Sequence, residues 1–261
     1  MITVNNIIIE DKHFPDNTLL AKFDPSTVVS DNNIIINWYY ENDAELFTLI
    51  CIKRHIDRFF YKACLNLPYV PHARMDRVKN NDEIFTLKYF CEIINSLHFD
   101  AVYVTDVHSN VAPALIDNVV QLKVTTNIEK AKNECGAQIL CYPDEGAMKR
   151  YSTELPYRYT FGIKKRNWET GKIERLDLIY GECVKDKDVL IVDDICSYGG
   201  TFLHTAKALK EAGANNIYLY VTHCEQSVFN GEMINSGLIS KIYTTNSIFP
   251  LDKQTDIIKI I

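Results

Sequence analysis

One segment constrains the fold more than any other: VLIVDDICSYGGTFLHTAKALKEAG, Val189 to Gly213. Its opening VLIV is an unbroken apolar run of strand length, the pattern of a strand covered on both faces. Two adjacent carboxylates, Asp193 and Asp194, end that run. A turn bearing Gly199 and Gly200 follows, and Phe202, Leu203, Ala206 and Leu209 then recur at helical spacing. Strand, acidic end, glycine turn and helix in succession are the unit of an α/β fold.

The rest of the chain repeats that alternation. Strands are predicted at 33–40, 64–69, 100–106, 137–142, about 157–163, 173–180, 188–194 and 216–223. Helices are predicted at 42–63, capped by Asn42 or Asp43, and at 82–96, 127–135, just after Asp144, and 199–212. Such alternation implies mostly parallel sheets flanked by helices. The pattern restarts near residue 120, which divides the chain into an N-terminal α/β half, 1–120, and a C-terminal half, 121–261. At 261 residues there is ample chain for both cores. A net charge of −6 argues against a broad nucleic-acid footprint. No apolar run reaches the roughly 20 residues of a membrane span, and the start MITVNNIIIEDKH lacks the pattern of a secretory signal. Eight cysteines without a CxxC pair point to reduced thiols in a cytoplasm, several of them buried, as expected of Cys51 and Cys64, and not to a zinc site.

Ligands of open α/β sheets bind beyond the carboxyl ends of the strands, where Asp193 and Asp194 fall. The amides of SYGGT, Ser197 to Thr201, lead into the first turn of a helix, and unpaired N–H groups there favour an anion. Gly199 and Gly200 let the main chain approach a phosphate, and Thr201 is placed to cap the helix. Carboxylates beside a phosphate cradle repel it unless sugar hydroxyls or a divalent cation lie between. A 5-phosphorylated ribose supplies hydroxyls at one end and phosphate at the other. The competing view is a plain strand–turn–helix with solvated acids. The whole string is more specific than that.

VLIVDDICSYGGT resembles the signature of the phosphoribosyltransferase-fold superfamily, and other segments narrow the resemblance to the ribose-phosphate pyrophosphokinases. LPYVPHARMDR (67–77) is similar to their ATP-site segment, VTDVHS (104–109) to their metal-binding segment, and YPDEGAMKR (142–150) to their Pro-Asp turn. IKKRN (163–167) resembles their catalytic loop, VTHCEQS (221–227) the segment after the next strand, and INSGLISKIYTTNSI (234–248) their late strand. The resemblance runs in order from Phe14 onward. It implies two phosphoribosyltransferase-like halves and transfer of diphosphate from ATP, with Mg²⁺, to the anomeric hydroxyl of a 5-phosphorylated ribose.

Residue by residue, the resemblance assigns His108 and Asp144 to the metal, although histidine is an unusual ligand for an ion that prefers oxygen. Lys164 and Arg166 would neutralise the transferring phosphates, on a loop expected to be mobile when empty. Arg74 would clamp ATP phosphates, with Asp76 and Arg77 bracing that strand end. Phe14 and Asp16, in FPDN, resemble a segment that touches adenine from a neighbouring subunit, but Asn17 and Thr18 depart from its pattern. Asp193, Asp194, Ser197, Tyr198, Gly199, Gly200 and Thr201 would hold the ribose and its phosphate. The implied partners are ATP, a ribose-phosphate small molecule and further copies of the chain, with no nucleic acid and no membrane.

The loop also departs from the family. Ser197 and Tyr198 stand where Asp and Thr are usual. An internal phosphodiester needs fewer donors than a terminal phosphate and an open end to the pocket, and an aromatic there could stack on a base. The family's first strand–helix unit before Phe14 and its last helix after Ile261 are not recognised, which puts hexamer assembly and feedback regulation in doubt. Compact bacteriophage members include enzymes that pyrophosphorylate ADP-ribose in rebuilding NAD, in a host cytoplasm. Ribose 5-phosphate and ADP-ribose therefore both stand as acceptors. A phosphoribosyltransferase would have no use for Arg74, His108 and Lys164, and a non-catalytic regulator no need to keep the whole set.

Overall fold

The computed structural model describes residues 1–10, 12–25, 33–166 and 173–261, with backbone alone at 33, 164–166 and 173–175. The chain forms two compact units, Met1–Lys123 and Val124–Ile261. Each is a mostly parallel sheet with helices.

The first unit holds strands β1 (Ile2–Val4), β2 (Ile7–Ile8), β5 (Asn33–Trp38), β6 (Lys62–Leu67), β7 (Val102–Thr105) and β8 (Val119–Leu122) in the order β2-β1-β5-β6-β7-β8. Strands β5 to β8 are parallel, and β1 runs antiparallel to both β5 and β2. A separate hairpin pairs β3 (Lys12–His13) with β4 (Leu19–Leu20). Helices are α1 (Glu45–Asp57), α2 (Thr86–Asn95) and α3 (Val111–Leu115). The spacing of Leu87, Phe90, Cys91 and Ile94 gives α2 one apolar stripe, and all four are buried.

The helix expected at 42–63 is shorter at both ends. Asn42 Oδ1 accepts from the Ala44 amide, in a turn before the helix, and caps nothing. At the other end Phe60 adopts φ 59° and reverses the chain, so Lys62 already begins β6. Strands β1 to β4 and β8 were not anticipated. Cys51 and Cys64 are only half-buried, whereas Cys91, Cys141, Cys183, Cys196 and Cys224 are buried.

The second unit has β9 (Ile139–Tyr142), β10 (Tyr159–Arg166), β11 (Ile173–Ile179), β12 (Val189–Cys196), β13 (Ile217–Cys224), β14 (Lys241–Thr244) and β15 (Ile258–Ile260). Their order is β11-β10-β9-β12-β13-β14-β15, parallel throughout except for the antiparallel pair β10–β11. Helices are α4 (Thr125–Cys135), α5 (Glu145–Tyr151), α6 (Gly200–Glu211) and α7 (Glu232–Asn235). Val189 and Ile191 face one core with Phe202, Leu203, Ala206 and Leu209 of α6. Leu190 and Val192 face the other with Ile128 and Ala131 of α4 and Tyr151 of α5. Successive side chains of β12 thus enter opposite cores, which is why its apolar run has no polar alternation. With β9 and β13 on either side of it, three carboxyl ends lie side by side. Among the described residues no helix is long and apolar enough to cross a membrane.

Candidate functional site

Towards the carboxyl edge of the second sheet, Asp193 and Asp194 directly follow the apolar run of β12, which continues to Cys196. Asp194 is 3% exposed, and Arg150 at the end of α5 places Nη1 at 3.2 Å from its Oδ1. The neighbouring strand β9 leads to Asp144, whose Oδ1 accepts from the Ala147 amide at 3.0 Å and so caps α5. Loss of hydration pushes the Asp193 carboxyl well above the usual carboxylate range, and the negative charges of Asp194 and Asp144 push it further. The bond from the Asp194 amide to Asp193 Oδ1, 3.0 Å, only partly opposes this. Arg150 beside Asp194 favours that group's ionised form, so the two carboxyls are held in unlike surroundings. A cluster of acids, one of them paired with a guanidinium, is arranged to accept from hydroxyl donors. Arg150 was not singled out from the sequence, since only the folded chain brings it to Asp194.

The turn after β12 is braced from below. Gly199 is the N-cap of α6 at φ 80°, and a Cβ there would stand 2.7 Å from Met233 Sδ of α7. A Cβ on Gly231 would stand 1.9 Å from the Tyr198 carbonyl oxygen, so that main chain rests directly against the turn. Both positions therefore require glycine. Gly200 differs: a Cβ there would meet nothing within 4 Å, so the start of α6 is open. The Leu203 amide already bonds Gly199 O at 2.9 Å, while the preceding amides of the first turn have no intrahelical acceptor. Thr201 does not cap the helix as expected; the cap is Gly199, without a side-chain bond. Tyr198 is 61% exposed and so does not pack beneath the turn.

Ser197, the first residue of the turn, is tied to the neighbouring strand. Its Oγ lies 3.1 Å from Ser227 Oγ, and Ser227 donates to Glu225 Oε2 at 3.1 Å. Glu225 follows β13 directly, and its amide donates to Cys196 O at 2.8 Å. Neither Ser227 nor Glu225 carries a sequence signal beyond lying in VTHCEQS.

In the first unit the carboxyl ends of β6 and β7 bring a second group together. Asp76 is buried in the turns after β6 and accepts from Arg77 Nε at 2.9 Å. Burial would raise its carboxyl, but a hydrogen bond from Ser109 and the charges of Arg77 and His108 hold it below the usual range. His108 and Ser109 follow β7 after a sharp turn at Asp106, φ 45°. Arg74 is exposed beside them in sequence. Phe14 and Asp16 sit in the β3–β4 hairpin turn, where Phe14 is half exposed and Asp16 accepts from both the amide and hydroxyl of Thr18, which lower its pKa. Lys164 and Arg166 lie on β10, paired in register with Leu176 and Ile173 of β11, so their backbone is strand and not the loop expected. Their side chains, and Asn167, lie outside the described residues. Among the described residues no three His, Cys, Asp or Glu converge as a ready-made metal cage.

Residues 176–261 match the family model Phosphoribosyl synthetase-associated domain. A ribose-phosphate pyrophosphokinase of Pyrococcus abyssi is 28% identical over 255 residues, 94% of this chain and 85% of that one. The protein of that name from Campylobacter jejuni is 29% identical over 260 residues, 96% of this chain and 82% of its own. The crystal structure of phosphoribosylpyrophosphate synthetase from Mycobacterium smegmatis gives a TM-score of 0.78 across 97% of this chain and 85% of that one. At 17% identity that likeness speaks for the fold.

The raised Asp193 pKa has a consequence for stability. The folded state retains a proton that the unfolded chain loses near pH 4, so this group favours folding below that pH. Its contribution is lost as pH rises from there through the raised folded value. Asp193→Asn removes the titration. In metal-free buffer the variant should gain on the wild type in denaturant midpoint at pH 8, by a margin that shrinks towards pH 5. Parallel stability curves across that range would mean Asp193 is ordinarily ionised.

Proposed function

The chain belongs to the ribose-phosphate pyrophosphokinase family, and from that premise we propose how its own residues perform the transfer of diphosphate from ATP to the anomeric hydroxyl of a 5-phosphorylated ribose. It is an enzyme of the diphosphokinase type. In this reaction the anomeric oxygen forms a bond to the β-phosphorus, the bond from that phosphorus to the α–β bridging oxygen breaks, AMP leaves, and the hydroxyl proton is released.

The observation that carries the reading is the edge of the second sheet, where hydroxyl-accepting carboxylates stand next to an open helix start. Asp193 and Asp194 would accept from ribose hydroxyls, and the amides of 199–201 would donate to the 5′-phosphate. In the first unit, Arg74 would meet ATP phosphates, with Asp76 and Arg77 fixing the turn that carries it. Phe14 and Asp16 would serve the adenine end. Lys164 and Arg166 would set positive charge against the phosphates in transfer.

Mg²⁺ would supply charge neutralisation and a template on the ATP phosphates. Magnesium is commonly held by one or two carboxylates with substrate phosphates and water. Asp144 fits by donor chemistry, as a carboxylate whose Oδ1 is oriented by the Ala147 amide at the start of α5. His108 fits less well by donor chemistry. The two belong to different units, and each would act there with phosphate oxygens.

A second acceptor deserves a place because of one observation, the exposure of Tyr198. An exposed ring at the mouth of the phosphate turn supports stacking on the remainder of ADP-ribose, where the usual threonine would only donate to a terminal phosphate.

Two measurements separate these roles. Lys164→Ala and Arg166→Ala should each lower kcat by about 10²–10³ with a much smaller change in KM, as expected for charges used in the transition state. A change confined to KM would reduce the pair to substrate collection. Tyr198→Thr should cut kcat/KM for ADP-ribose by about tenfold to a hundredfold, the scale of one base-stacking contact, and spare ribose 5-phosphate. Equal loss with both acceptors, or a wild type inert to ADP-ribose, would remove the stacking role.

A further inference from the structure

The hydrogen bonds behind Ser197 have a direction. Glu225, as a carboxylate, can only accept, so the 3.1 Å bond from Ser227 Oγ to its Oε2 consumes the single hydroxyl proton of Ser227. The 3.1 Å contact between the two serine oxygens must then carry the proton of Ser197. Ser197 therefore donates backwards, into the protein, and presents only lone pairs to whatever occupies the turn. A phosphate, which asks for donors, gains nothing from such a hydroxyl. A sugar hydroxyl, which donates, does.

The relay is held rigidly. Ser197 and Glu225 each directly follow a parallel strand, where Cys196 and Cys224 are paired in register and both buried. The Glu225 amide donates to Cys196 O, and buried Val228 and Met233 anchor the segment that carries Ser227. Gly231 closes it against the Tyr198 carbonyl. Orientation of the Ser197 hydroxyl is thus fixed before any ligand arrives, which saves the cost of ordering it on binding.

The electrostatics give the relay a reason. Asp193 already carries the combined repulsion of Asp194 and Asp144. A further carboxylate at position 197 would add to it, whereas the relay keeps the negative charge on Glu225 and presents a neutral oxygen polarised by that charge. We propose that Glu225, acting through Ser227, fixes Ser197 as a hydrogen-bond acceptor for a ribose hydroxyl of the acceptor substrate, beside Asp193 and Asp194. Glu225 is a positioning residue, and the inference rests on the reading that this edge holds a ribose phosphate.

Steady-state kinetics with ribose 5-phosphate and its 2-deoxy and 3-deoxy analogues test this. Glu225→Ala and Ser227→Ala should each raise KM for ribose 5-phosphate roughly 5- to 30-fold, the scale of one lost, oriented hydrogen bond, with KM for ATP moving far less. With the analogue lacking the recognised hydroxyl, the penalty of either variant should vanish. Glu225→Gln keeps an acceptor for Ser227 and should recover most of the loss. Should Glu225→Ala fail to fold, Ser227→Ala carries the same expectation. A wild-type KM in these variants, or an equal penalty with all three sugars, would overturn the inference while leaving the transfer reaction intact. A wild type that transfers diphosphate to no acceptor would overturn both.

Discussion

Two carboxylates side by side at the end of a strand buried on both faces repel each other, and the second unit is organised around that cost. The apolar residues of β12 are committed to two cores, and its last residues run beside the end of β13. Hydration is mostly lost there, so the pair relies on one guanidinium and on whatever donors a ligand brings. Arg150 pairs with Asp194, and the Asp193 carboxyl is pushed above its usual range. A protein built for stability alone would place apolar groups here. Retaining the acids makes sense if sugar hydroxyls complete their hydrogen bonds.

The turn that follows solves the opposite problem. An anion needs donors and close approach, and the start of α6 offers both without a cationic side chain among the described residues of the turn. Rigidity comes from beneath, where Met233 and Gly231 leave no room for a Cβ. Room comes from above, at Gly200. The result is an acceptor-rich end and a donor-rich end a few residues apart. The Glu225–Ser227–Ser197 relay extends the acceptor end with a neutral oxygen.

Most of this architecture was legible in the sequence because it rests on long periodic segments. The β12–turn–α6 unit could be read directly, since both its periods run for several residues and the glycines fall between them. Strands β1, β2 and β8 were missed because two to four residues give no period, and their pairing is decided by partners distant in sequence. The first helix was drawn too long because FFYKA continues an apolar pattern, and nothing in composition announces the left-handed turn at Phe60. Of the site, Asp193, Asp194 and the glycines were readable as chemistry. Arg150, Ser227 and Glu225 were not, because their meaning lies in contacts across strands. Thr201 looked like a cap by residue type, but the positive φ of Gly199 starts the helix earlier.

The claim that binds these observations is that the 5′-phosphate of a ribose sits on the first turn of α6 with its hydroxyls towards Asp193 and Asp194. Backbone amide resonances followed during titration with ribose 5-phosphate measure this most directly. The account predicts saturable shifts centred on Gly199, Gly200 and Thr201, which Asp193→Asn weakens by reducing sugar affinity. Saturable binding whose shifts leave these three amides unmoved would contradict it.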